Sequence, residues 1–66
     1  MSVARVTKLT ASSPKGFQDA VDAAVKRAAK TLRGITGVEV LSQKAKINKG
    51  KIEEYRVTLE VTFILE

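Results

Sequence analysis

The chain contains no cysteine, no histidine and no tryptophan. Disulfides are therefore excluded, and so is a structural zinc site of the Cys/His type. The same absences remove the usual general base and the thiol nucleophile, so the residue set points away from an enzyme. No apolar run approaches the ~18 residues of a membrane span. The opening MSVARVTKLT has no signal-peptide core, so a cytoplasmic location is expected. Aromatics are scarce: Phe17, Tyr55 and Phe63 are the whole set. No block of like charge is longer than two residues.

What is present is 66 residues, enough for one small domain spanning 1–66. Below about 70–80 residues a lone core seldom supplies more than about 3–5 kcal/mol. With disulfides and zinc gone, the remaining staple is self-association. A composition that is 44% hydrophobic and 29% charged is not that of a disordered chain. Twelve basic against seven acidic residues give a net charge of +5. That balance suits an anionic partner such as nucleic acid or phosphate. It equally suits a solvated like-charged surface, and the scattered charges favour that second reading.

Residues 2–10, rich in Val and Thr, read as a strand. Ser13 then suits a helix N-cap and Pro14 the first helical position. From Pro14 to about Arg33 the period becomes 3.6, with Phe17, Val21, Ala24, Ala28 and Leu32 on one stripe. Asp19 and Asp22 lie early and Lys26, Arg27, Lys30 and Arg33 late, which opposes the helix dipole. Asp22 and Lys26 form an expected i,i+4 pair, and Gly34 is the expected C′ residue. The stripe is lean, so its partner sheet must approach closely.

Residues 38–47 read as a second strand whose alternation changes phase. Val38 and Val40 precede the switch, and Leu41, Ala45 and Ile47 follow it. A bulge near Val40–Ser42, or burial of both faces, accounts for that. Asn48-Lys49-Gly50-Lys51 reads as a turn with Gly50 at positive φ. From Tyr55 to Leu65, six apolar residues keep strict period two, a strand longer than its own domain needs. The predicted fold class is α+β: β–α–β–β, with a three-stranded antiparallel sheet partly wrapped around one long helix. Val57, Leu59, Val61 and Phe63 should face Val21, Ala24 and Ala28.

Candidate chemistry is sparse. Asp19 and Asp22 are charge-dipole partners rather than metal ligands. Glu54, Arg56, Thr58, Glu60 and Thr62 make a polar ladder on one face of the last strand, either solvated or lining a ligand cavity. A nucleic-acid surface would need exposed aromatics, and all three here sit on predicted core faces.

Ser13-Pro14, the Ala-rich helix ending Lys30-Thr31-Leu32-Arg33, Val38-Glu39-Val40 with Gln43, and Tyr55 through Leu65 together resemble the dodecin family. The resemblance covers nearly the whole chain. It implies a hollow homododecamer that binds and stores small ligands. In the family these are flavins or flavin breakdown products, with coenzyme A or calcium in some members. It also implies where a ligand site would lie. The family's flavin-stacking tryptophan falls on Gly37, and its hydrogen-bonding glutamine falls on Arg56. Gln43 is a third position carried over. Glycine offers no ring, and arginine donates hydrogen bonds but accepts none. The expected function is therefore a dodecin-like homo-oligomeric ligand-binding protein with a degenerate flavin site. Riboflavin or FMN storage and a basic nucleic-acid module are the alternatives. Flavin, the family's cofactor, is expected to bind weakly or not at all.

Overall fold

A computed structural model describes residues 2–65. The elements run β1 (Val3–Ser13), α1 (Phe17–Ala28), β2 (Ile35–Asn48) and β3 (Lys51–Leu65). The sheet is antiparallel in the order β1-β3-β2, so the last strand is central. The predicted β–α–β–β class is the observed one.

The core follows the period-two pattern of β3. Val57, Leu59 and Val61 are fully buried and pack with Ala20 and Ala24 of α1. Phe63 is half-buried on the same face, opposite Arg5. The helix contributes Ala20, Ala24 and Ala28 as its buried residues, with Phe17 and Val21 half-buried beside them. Alanines lie along the centre of the contact, so the helix sits close to the sheet, as the lean stripe requires.

The helix departs from expectation at both ends. It begins at Phe17, with Gly16 as the N-cap residue and no side-chain cap. Ser13 is not the cap and Pro14 is not the first helical residue, because Ser13 still pairs with Tyr55 in the β1–β3 ladder. Its buried hydroxyl accepts the Lys15 N–H and donates to the Asp19 carboxylate, fastening the end of β1 to the first helical turn. The helix stops at Ala28 rather than Arg33. The Thr31 and Leu32 amides both return to the Ala28 carbonyl, which closes the chain into a turn. Leu32 still reaches the core, so its apolar spacing was real although the helix does not extend to it. Gly34 lies beyond that turn with φ +72, and its carbonyl accepts the Ile64 N–H at 3.0 Å. Asp22 accepts a hydrogen bond from Gln18 at 2.9 Å instead of pairing with Lys26.

The strands are longer than predicted. β1 runs to Ser13 and β2 covers 35–48 rather than 38–47. The expected irregularity at Val40/Ser42 is present, with two more at Ile35/Gly37 and Lys46/Ile47. The hairpin turn places both Lys49 (φ 53) and Gly50 (φ 77) at positive φ, as a two-residue type I′ loop demands. Twelve helical residues span about 18 Å, whereas the 15 residues of β3 span about 50 Å. The hairpin therefore projects past its helix, and the molecule measures 52 × 19 × 13 Å. At the projecting end Ile47 and Ile52 pair with each other, 59% and 49% exposed. No helix among the described residues is long and apolar enough to cross a membrane.

Candidate functional site

Directly opposed residues in antiparallel strands share a face. The register therefore assigns a second, outer face of the sheet, away from α1. Gly37 and Val6 flank Thr62 there, and Glu39 and Lys8 flank Glu60. Ser42 and Thr10 flank Thr58, with the Thr10 and Thr58 hydroxyls 3.3 Å apart. Lys44 and Ser12 flank Arg56, and Lys46 lies opposite Glu54. The predicted polar ladder of β3 is thus the spine of a polar band crossing all three strands. No aromatic lies on it: Tyr55 and Phe63 are on the helix face, and Phe17 is on the helix, edge-on to Tyr55 at 5.0 Å.

Two of the three predicted site residues, Gly37 and Arg56, share this outer face. Gln43 does not, since it pairs with Val57 on the helix side. Gly37 lies opposite Thr62, six residues along β3 from Arg56, a separation of about 20 Å. Within one chain the two positions are too far apart to grip one ring system. Gly37 is not there for its backbone. A Cβ added to it would meet nothing within 4 Å, whereas one on Gly34 would lie 3.3 Å from the Ile64 carbonyl.

Arg56 is already engaged. Its Nη2 meets the Glu54 carboxylate at 2.9 Å, with the two side chains 53% and 32% exposed. Hydrogen bonding from Ser12, then from Arg56, and the nearby Arg56 and Lys46 charges hold the Glu54 carboxyl below its ordinary value. Arg56, Glu54, Lys44, Ala45 and Lys46 line a cleft. The two lysines were not singled out from the sequence. Counting back from the turn in ideal register places Lys44 opposite Tyr55. The irregularity at Lys46/Ile47 moves it one residue, to Arg56. The signal was a bulge in a polar stretch, where no hydrophobic alternation marks it. Among the described residues, no three carboxylates gather closely enough to hold a metal ion.

A family model described as Dodecin matches residues 3–66. The dodecin of Thermus thermophilus is 39% identical over 64 residues, covering 97% of this chain and 93% of that protein. The structure of a tryptophan-to-phenylalanine variant of the Thermus thermophilus dodecin matches with a TM-score of 0.94 at 38% identity, covering 100% of this chain and 98% of that one. The dodecin from Streptomyces coelicolor matches with a TM-score of 0.93 at 37% identity, covering 98% and 93%.

Proposed function

This chain belongs to the dodecin family, and we propose that it works as a hollow homododecameric small-ligand-binding protein, a binder rather than an enzyme, whose flavin site is degenerate. The observation that carries this reading is the placement of Gly37 and Arg56. They share one sheet face about 20 Å apart, so a ligand touching both types of residue must lie between copies of the chain.

Self-association is supported by surface arithmetic. The chain alone exposes 5039 Å², against roughly 4,100 Å² for a compact monomer of its mass. Its radius of gyration is 13.6 Å, against about 10.8 Å for a compact domain of this length. The excess includes Val3, Val6, Leu41, Ile47, Ile52 and Leu65, each more than 40% exposed. These are large apolar side chains for a lone 66-residue protein to leave in water.

The residues present do not fit a flavin. The Thermus thermophilus relative has a tryptophan that was exchanged for phenylalanine in one of its structures, whereas this chain has none. No aromatic lies on the outer face to stack a ring, and Arg56 has no acceptor for a ring N–H. Losing two stacking contacts at about 1–3 kcal/mol each weakens binding by roughly 30-fold to more than 10⁴-fold.

The test pairs particle mass with ligand binding. Light scattering should report about twelve subunits, and the protein should quench riboflavin fluorescence only weakly. Gly37→Trp with Arg56→Gln should restore quenching, because space around position 37 is open. A stable monomer would refute the assembly. Tight riboflavin binding by the unmodified protein would establish flavin storage in place of this reading.

A further inference from the structure

The far half of the β2–β3 hairpin holds a charge arrangement that the flavin comparison does not explain. Lys44 lies directly opposite Arg56, so two cations face each other across paired strands. Like charges in that position destabilise a strand pair. One row nearer the turn, Lys46 lies opposite Glu54. Together with Ala45 these four side chains line a cleft of about 190 Å³. Three cations against one carboxylate leave the cleft with two positive charges in excess.

We infer that this cleft binds a phosphate-type dianion, free or as a monoester, with Arg56 as principal donor and Glu54 as an internal carboxylate that the ligand displaces. The Glu54 contact uses a single nitrogen of the guanidinium, at 2.9 Å. A guanidinium carries five donors in a planar fork, so most of its capacity is free for a second acceptor. The existing pair is open to solvent, with Arg56 exposed and Glu54 half-buried, and solvent-accessible pairs are weak enough to exchange. A phosphate monoester carries about −1.5 to −2 charge near neutral pH and three acceptor oxygens. That matches the excess charge, and arginine takes phosphate bidentately. The volume sets the size of the ligand group. Pockets for whole drug-sized ligands measure roughly 300–1,000 Å³, so this cleft admits a phosphate group with the rest of a ligand outside it. The inference rests on Arg56 being ligand-facing, and on neither the subunit number nor the loss of flavin.

The test is calorimetric titration of the full-length protein with inorganic phosphate and with methyl phosphate, at about 0.01 M ionic strength, where screening is weak. Binding should saturate and be displaced by sulfate but not by an equal ionic strength of chloride. Arg56→Gln should weaken it about 10-fold or more. Glu54→Gln should tighten it about 2–5-fold, the direction that sets displacement apart from simple charge attraction. If Arg56→Gln does not fold, the pair Lys44→Gln and Lys46→Gln should weaken binding instead. Unsaturable binding, displacement by chloride, or unchanged affinity in Glu54→Gln would overturn the inference. Much tighter capture of an oligonucleotide than of methyl phosphate would overturn it in favour of a nucleic-acid surface. Particle mass and riboflavin quenching on the same samples separate the two readings. If they behave as proposed while phosphate fails, only the anion site falls.

Discussion

Replacing Leu59 by alanine is the most informative single perturbation of this fold. Leu59 is fully buried at the middle of the central strand, with Leu9 of β1 on one side and Val40 of β2 on the other. The helix presents Ala20 and Ala24 to the same cluster. Those side chains are too short to swing into a cavity, so the void stays open. Leu→Ala costs about 2–5 kcal/mol in buried sites, and incomplete collapse puts this one in the upper half of that range. A lone core of this size supplies only about 3–5 kcal/mol in total. The substitution therefore removes nearly all the stability a solitary chain has. A monomeric Leu59→Ala protein should be unfolded at 25 °C. An assembled one should stay folded, with a melting temperature that rises with protein concentration, because subunit contacts stabilise by mass action. Urea unfolding followed by far-ultraviolet circular dichroism at two concentrations reads both quantities. A loss below about 1 kcal/mol with unchanged urea dependence would show that Leu59 is not the packed centre.

The other expectations address the connections and the polar face. Gly34→Ala should cost about 1–2 kcal/mol in urea unfolding, since position 34 holds φ +72 and a Cβ would press on the Ile64 carbonyl. Gly37→Ala should change stability by no more than about 0.5–1 kcal/mol, because its Cβ enters open space, and a larger loss would contradict that. Ser13→Ala should destabilise by about 0.5–1.5 kcal/mol, as it removes the hydroxyl that joins the Lys15 N–H to the Asp19 carboxylate at a part-buried junction. Glu54 should titrate below its ordinary value by carboxyl-carbon NMR, and Ser12→Ala and Arg56→Gln should each move it upward. A depressed folded value means that this group's support for folding is present above its ordinary value and lost as pH falls through the lowered one. An elevated titration would reverse that sign.

Long-range alternation was the most legible feature of the chain. Tyr55 to Phe63 alternates without a break, and the central strand with its buried Val57, Leu59 and Val61 follows from that pattern. The bulge near Val40–Ser42 was legible for the same reason, since a phase change in apolar residues has to be absorbed somewhere. Helix ends were less so. The spacing from Phe17 to Leu32 is compatible with one helix, but Leu32 reaches the core from a turn. Ser13 has the chemistry of a cap, yet pairing with Tyr55 claims its backbone for the sheet. Local propensity competes there with tertiary hydrogen bonding and loses.

By itself, the sequence determined the order of elements, the buried face of β3, and the absence of disulfides and of Cys/His zinc chemistry. These depend on residue type and period, which are properties of the linear chain. The tertiary structure decided which side chains meet. Gln43 is separated from Gly37 and Arg56 because the strand carries it on the helix face, opposite Val57. Lys44 meets Arg56, and Lys46 meets Glu54, only because the pairing slips by one residue at Lys46/Ile47. A one-residue slip turns every side chain beyond it to the other face. In a polar stretch no burial energy records which register is chosen, so the charged cleft exists only once the strands have paired.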